Sequence, residues 1–313
     1  MAKHENNCML IGLPKSGKST FVAALWHVVE SNELESSLTV TSLPEDATYL
    51  NELRNKWQSC SKFERNKFGF IKPISLKIHN KKTDNSTDFS FPDISGELFD
   101  FQFETRKIEN DYYELLRNTN GIMLFINPDL LKKPILISDL GIIPTNDTIS
   151  SEKESNANPS NSDENLKQNE NNEVATAVKP SAIKKTWEHK DAPTQVKIVD
   201  ILQMLDTKSE QQLNIAVIIS AWDTIINTPD PKYSTLTPSQ WIGKEMPLLE
   251  QFLETNSDLF NSKCFGVSAQ GGDYKTDTDH LNSHDLPSKR IIVQVDSEIS
   301  KDITLPIRWL LNE

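Results

Sequence analysis

Gly12-Leu13-Pro14-Lys15-Ser16-Gly17-Lys18-Ser19-Thr20 is the stretch on which the reading of this chain turns. Before it stands Cys8-Met9-Leu10-Ile11, a short apolar run expected of a buried strand. After it Phe21, Leu25, Val28 and Val29 recur at helical spacing. The order is strand, glycine-bounded loop, helix. Gly12-x4-Gly17-Lys18-Ser19 matches the phosphate-binding loop pattern in full, in its expected context. Each residue type has a physical reason. Glycines let backbone N–H groups curl around a phosphate with no Cβ in the way. Lys18 offers a flexible ammonium to the β and γ oxygens, and Ser19 a hydroxyl to Mg²⁺. The helix N-terminus adds partial positive charge.

Three further elements follow in order. Asp93-Ile94-Ser95-Gly96-Glu97 ends an expected strand; Asp93 would reach Mg²⁺ through water, and the Gly96 N–H the γ-phosphate. Ser220-Ala221-Trp222-Asp223 ends a later strand. A carboxylate there accepts from guanine N1–H and N2–H, a donor pair that adenine lacks on that edge. Val267-Ser268-Ala269 ends the last central strand, where the backbone could donate to guanine O6. All lie at carboxyl ends of strands, where ligands sit in open α/β sheets. Taken singly each has a plain alternative: Asp93-x-x-Gly96 a turn, Asp223 a helix cap, Trp222 a core aromatic.

The rest of the chain fits an α/β domain. Leu38–Leu43 reads as a short strand or a loop, and Pro44–Trp57 as a helix. Phe70–His79 and Asp88–Pro92 alternate and would pair as an antiparallel hairpin. Asp111–Asn118 reads as a helix, and Gly121–Ile126 and Leu213–Ile219 as central strands. A helix capped by Asp191 or Thr194 should run to Leu205. Pro238–Leu253 reads as a helix behind an N-cap at Thr237, with Pro247 a kink or break. Cys264–Val267 and Arg290–Val295 read as strands, the latter at an edge, and Thr304-Leu305-Pro306 as a helix start. Strands alternating with helices predict a three-layer fold with a mostly parallel sheet. The expected organisation is one domain over 1–313, interrupted by an acidic low-complexity insertion over 145–185. No Phe, Tyr or Trp occurs from Ile126 to Thr186, although aromatics make up 8% of the chain. Ser150–Asn172 is mainly Asn, Ser and Glu, with little to bury, and the insertion reads as a solvated tether or a partner-binding segment.

Composition narrows the function. The 313 residues carry 33 Lys and Arg against 45 Asp and Glu, a formal charge of -12. That balance argues against binding to nucleic acid or an anionic membrane, while leaving room for a local basic pocket. Three cysteines, Cys8, Cys60 and Cys264, lie far apart and form no disulfide framework or CxxC motif. The polar start, Met1–Asn7, lacks a signal-peptide core, and apolar runs such as Ile215–Ile219 are too short to cross a bilayer. A reducing, cytoplasmic setting is expected.

The phosphate loop, Asp93-x-x-Gly96, Asp223 and Ser268-Ala269 resemble the consecutive motifs of translation-factor-class P-loop GTPases. The longer strings Gly12–His27, Ala192–Leu205 and Pro306–Leu311 resemble the prokaryotic double-GTPase family, of its second type. That resemblance implies a Ras-like fold and a partner GTPase or effector in bacterial conflict or anti-phage defence. There are departures. Ser220 and Ala221 stand where such proteins carry Asn or Thr and then Lys, so guanine affinity should be weaker or compensated by Trp222. Glu97 stands where a water-orienting Gln is common. It reads as a water-positioning group or as a helix-start acid. Thr39 and Thr41 are candidates, by position, for the residue covering Mg²⁺.

The expectation is therefore a GTP-binding switch with slow Mg²⁺-dependent hydrolysis to GDP. Its nucleotide site would comprise Gly12 to Thr20, Gly96, Asp223, Ser268 and Ala269. Ser19 and Asp93 would hold Mg²⁺, and Lys18 and Glu97 would serve catalysis. A nucleotide-bound scaffold without turnover, and an ATPase or small-molecule kinase, are the alternatives. Arg54, Arg65 and Arg106 could reach the γ-phosphate but read more simply as surface charges. Asp277, Asp279, His280, His284 and Asp285 would hold a metal only if helical, and their composition says loop. Cys8 reads as a small buried hydrophobe.

Overall fold

The computed structural model describes residues 5–31, 33, 38–42, 47–63, 74–81, 85–92, 96–134, 188–205 and 212–312. The expected insertion over 145–185, Asp93 and Arg65 lie outside these residues.

The first strand, β1 (Glu5–Ile11), runs into the phosphate loop and then α1 (Lys18–Ser31). An edge strand β2 (Leu38–Ser42) and helix α2 (Thr48–Gln58) precede the hairpin β3 (Ile74–Asn80) and β4 (Asn85–Phe91). Next come α3 (Gly96–Thr105), α4 (Asn110–Arg117) and β5 (Gly121–Ile126). From residue 188 onward the chain forms α5 (Thr194–Gln203), β6 (Leu213–Ser220), α6 (Trp222–Ile226) and α7 (Pro231–Ser234). It closes with α8 (Pro238–Glu245), α9 (Pro247–Thr255), β7 (Phe260–Ser268), α10 (Thr278–Asn282), β8 (Ile292–Val295), β9 (Glu298–Ser300) and α11 (Leu305–Leu310).

The described strands make one sheet in the order β2-β3-β4-β1-β5-β6-β7-β8-β9. Strands β4, β1, β5, β6 and β7 are parallel neighbours. The hairpin and β2 add antiparallel pairs on one side, and β8 and β9 on the other. This is the Ras-like arrangement, extended at both edges.

Period-2 alternation divides the core into two layers. On β1, Cys8 and Leu10 face α1, α2 and α11, while Met9 and Ile11 face α3, α4, α5, α8 and α9. On β5 and β6, Phe125 and Ile218 join the first layer, and Leu124 and Ile219 the second. Burial on both faces explains the continuous apolar runs that mark central parallel strands. Each such side chain contributes about 1.5–3 kcal/mol on burial.

Several elements settle what the sequence reading left open, or depart from it, for identifiable reasons. The helix expected over Pro238–Leu253 is two helices. Met246, before Pro247, is pushed out of helical conformation (φ -137, ψ 54), and Pro247 then starts α9. The Thr237 cap is a full capping box with Gln240. Leu38–Ser42 resolves as a strand, and β8 is not the sheet's edge because β9 lies outside it. Among the described residues no helix is long and apolar enough to cross a membrane. All three cysteines are free thiols; burial pushes Cys264 up to about 12, and raises Cys8 further.

Candidate functional site

Strand register aligns the loops that matter. Ile11 pairs with Leu124, Ile126 with Ile219, and Ser220 with Val267. The carboxyl ends of β1, β5, β6 and β7 therefore open onto one edge. A cavity of about 290 Å³ lies there. Lys15, Gly17 and Thr20 line it from the phosphate loop, and Asp223, Ser268 and Ala269 from the far strand ends.

The phosphate loop turns through two left-handed residues, Lys15 (φ 63) and Gly17 (φ 98). Alternating backbone hand gathers N–H groups into an anion-binding concavity. Gly17 also abuts the Ser220 side chain, so a Cβ would collide there. The Lys18 side chain is buried against its own loop. Its Nζ lies 2.6 Å from the Gly12 carbonyl, 3.4 Å from that of Leu13 and 3.3 Å from Ser16 Oγ. The Phe99 ring of α3 stands 5.7 Å from the same ammonium. Gly96, first residue of α3, touches the Leu13–Pro14 backbone so closely that any side chain would strike it. Glu97 follows in the first turn of α3, half-buried.

Two side chains brace the loop from neighbouring strand ends. Ser220 Oγ donates to the Ser16 carbonyl over 2.7 Å and lies 3.1 Å from that of Ile126. Asn127 Nδ2 donates to the Lys15 carbonyl over 3.1 Å. Asn127 was not singled out by sequence, because a polar residue after a strand carries no pattern of its own.

At the other end, Asp223 is turned into the cavity by Ala221, which takes a left-handed conformation (φ 48) between β6 and α6. Ser268 Oγ donates to Asp223 Oδ1, and the Gly271 N–H donates to Ser268 Oγ over 2.9 Å. Burial raises the Asp223 carboxyl above the ordinary range; the Ser268 bond works against that, and Asp129 and Asp277 add to it. Trp222 does not reach the cavity. It is fully buried, with its Nε1–H donated to Gln294 Oε1 over 2.8 Å. The compensation for the absent lysine expected from Trp222 is therefore ruled out by its direction.

The cavity wall includes residues that sequence reading passed over: Asp129, Gln270 and Tyr274. Gln270 Oε1 is buried without a hydrogen-bond partner among the described residues, while Tyr274 meets the Thr20 side chain. An unpaired buried polar atom in a cavity wall suits a site completed by ligand or water. The loop that carries them is held from behind. Trp57 of α2 donates its Nε1–H to the Ala269 carbonyl over 2.9 Å. Arg290 lies over the Trp57 ring at 4.5 Å and donates to the Trp57 carbonyl.

Other expectations separate. Thr39 and Thr41 sit on the edge strand β2, with their hydroxyls donated to His79 and Lys77 carbonyls, three strands from β1. They cannot cover a cation at Ser19. Arg54 pairs with Glu30, and Arg106 with Asp200, so both are engaged away from the loop. Among the described residues no group of three His, Cys, Asp or Glu could hold a metal, and His280 and His284 simply pack edge to face. A phosphate-loop Mg²⁺ does not need such a group, since it takes a hydroxyl and phosphate oxygens. The half-buried Ser19 hydroxyl, bonded to no other group among the described residues, fits that role.

Among solved structures, the chain is similar to a bacterial selenocysteine-specific elongation factor, EF-Sec. Identity is 13%, coverage 90% of this chain and 28% of that one, and the TM-score 0.34. It is also similar to the GTPase-like domain of S. cerevisiae Ski7 bound to GTP, with 13% identity, coverage of 86% and 44%, and a TM-score of 0.39. For the signal recognition particle receptor SRb-GTP/SRX complex from Chaetomium thermophilum the values are 8%, 86% and 92%, and 0.38. The chain thus spans less than half the length of the first two. No curated protein matches it. A family model does, over residues 9–310, and it is that of Double-GTPase 1, whereas the strings quoted above resembled the second type. The chain belongs to the Double-GTPase 1 family.

Proposed function

We propose that this chain is a GTP-binding molecular switch that hydrolyses GTP slowly to GDP and phosphate. Lys18 and the loop N–H groups from Gly12 to Thr20 hold the phosphates, with the Gly96 N–H at the γ-phosphate. Asp223 and the Ala269 backbone read guanine, and Ser268 orients the Asp223 carboxylate. Ser19 and Asp93 would hold Mg²⁺, which would supply positive charge against the phosphates. Lys18 donates to the oxygen that gains charge, and Glu97 positions the attacking water. The whole chain, 1–313, acts as one GTPase domain interrupted by the 145–185 insertion.

One observation carries the reading: a single cavity is lined both by the phosphate loop and by a buried carboxylate held by Ser268. The biological setting, a cytoplasmic defence system acting with a protein partner, rests on the resemblance of the sequence strings. The test is calorimetric titration of nucleotide-stripped protein with GTP, GDP and ATP in Mg²⁺. A preference for guanine nucleotides of tenfold or more, about 1.4 kcal/mol, is expected. Equal binding of ATP would remove Asp223 from base reading. Tight GTP binding without phosphate release would move the chain to a scaffold role.

A further inference from the structure

A second cavity, about 330 Å³, lies on the outer side of the phosphate loop, between α3 and α5. Its wall carries four lysines, Lys15, Lys132, Lys190 and Lys197, against one carboxylate, Asp100. This runs against a chain whose formal charge is -12. One of the cations is built into the wall, while Lys15, Lys132 and Lys190 reach it from the exposed rim. Lys197 is 93% buried, since only 7% of it is exposed, and its Nζ lies 2.7 Å from Asp100 Oδ1. Lys132 is clamped to the start of α5, its N–H donated to Thr194 Oγ1 and its carbonyl accepting from the Thr194 N–H, each at 2.9 Å. The Lys132 ammonium in turn donates to the Lys190 carbonyl. The N-terminus of α5 adds its partial positive charge to the same wall.

Four lysines line one small space, and among the residues that line it one carboxylate offsets only part of their charge. The carboxylate is also the loose member. The Asp100 side chain is 42% exposed, while that of Lys197 is 9% exposed. The volume sits at the low end of small-molecule clefts, too small for a folded partner's segment and ample for two or three phosphates.

We propose that this cavity, which adjoins the nucleotide cavity and shares Lys15, Phe125 and Asn127 with it, is a second anion site that takes a small molecule bearing two or more phosphates. The anion takes Lys197 from Asp100. That exchange has a structural consequence. Helix α3 is tied to α5 by Asp100–Lys197, and Arg106, the residue after α3, by its pair with Asp200; Phe103 lies between the Lys197 and Arg106 cations at 5.7 and 5.2 Å. Loss of the first pair loosens α3, whose Gly96 touches the phosphate loop. The effect on GTP sensing rests on the function proposed above; the binding itself does not.

The test is equilibrium dialysis of labelled pyrophosphate against protein saturated with GDP, at fixed free Mg²⁺. One pyrophosphate per chain should remain bound under saturating GDP. Lys132→Ser with Lys190→Ser should weaken it tenfold or more, with GDP affinity unchanged as the control for folding. Asp100→Asn should strengthen it severalfold, and Glu104→Gln, an equal change of charge on the exposed face of the same helix, should not. Amide exchange in α3 should quicken when pyrophosphate binds. Displacement by GDP one for one, or binding unmoved by the double lysine variant, would overturn the proposal. If GDP itself fails to bind, the nucleotide reading falls; the same dialysis on Lys18→Ala protein then tests the lysine cavity alone.

Discussion

Ser220 and Ser16, 204 residues apart in sequence, meet through a 2.7 Å hydrogen bond from the Ser220 hydroxyl to the Ser16 carbonyl. The bond ties the end of β6 to the phosphate loop at a buried point. Its partner is backbone, so it sets the curl of the loop and not the identity of the base. Ser220→Ala leaves a buried carbonyl short of a donor, a cost of about 1–3 kcal/mol. Part of that should appear as lost nucleotide affinity, roughly five- to tenfold, equal for GDP and ADP. Calorimetry of both nucleotides decides it. A change confined to GDP would mean that Ser220 acts on the base and not on the loop.

Asp223 should set the guanine preference. Asp223→Asn replaces an acceptor pair by one acceptor and one donor, so the ratio of GDP to ADP affinity should fall by tenfold or more. The same ratio should depend on pH in the wild-type protein. Burial raises the Asp223 pKa, and base reading needs the ionised form. The preference should therefore fade on acidification while an ordinary carboxylate would still be ionised. Taking a ratio cancels the titration of the phosphates. For stability of the nucleotide-free protein the sign is reversed. Between the unfolded and the raised folded pKa the native state binds more protons, so stability falls as pH rises through that window. Asp223→Asn should abolish that fall.

The parts of this site that were legible in sequence are those with a fixed spacing. Gly12, Gly17, Lys18 and Ser19 sit within eight residues, and a strand and a helix flank them with opposite periodicities. Strands β5 and β6 were legible because burial on both faces gives them near-continuous apolar runs. Asn127, Tyr274 and Trp57 were not legible. Each reaches the site through tertiary contact, and Trp57 meets Ala269 across 212 residues. Helix α3 was legible only at its start, where Glu97 reads as a helix-start acid. Leu98, Phe99 and Phe103 share its buried face, but a polar Gln102 lies within that face and an apolar Phe101 outside it, which blurs the stripe in sequence. Trp222 had two readings, pocket residue and core aromatic, and the structure takes the second. Its place in the base-reading motif suggested the pocket, but one residue of left-handed backbone at Ala221 sends Asp223 into the cavity and the indole into the core.

Glu97 separates two physical roles that one carboxylate can play. In the first turn of α3 it favours the helix electrostatically by a few tenths of a kcal/mol. As a water-positioning group it would contribute to hydrolysis by roughly a hundredfold or more. Glu97→Ala should therefore lower single-turnover phosphate release by at least tenfold with GTP affinity nearly unchanged. Glu97→Gln, which can still orient water, should stay within a few-fold of wild type. Equal rates in all three proteins would assign Glu97 to the helix start alone.

Trp57 offers the sharpest test of how the base loop is held. Its ring is fully buried between α1 and the Arg290 side chain, and its one polar atom serves the Ala269 carbonyl. Trp57→Phe keeps most of the apolar contact and the cation–π face but removes the N–H. The protein should lose about 1–2 kcal/mol of stability, read from urea unfolding, since a buried carbonyl loses its donor and a modest cavity opens. The Ala269 N–H belongs to the peptide plane next to that carbonyl. Release of the carbonyl frees the loop to rotate, so GDP should bind several-fold more weakly while inorganic pyrophosphate on the phosphate loop binds as before. A variant that weakens both ligands equally would show that Trp57 supports α1 and the phosphate loop together, and that the hydrogen bond to Ala269 contributes no guanine specificity.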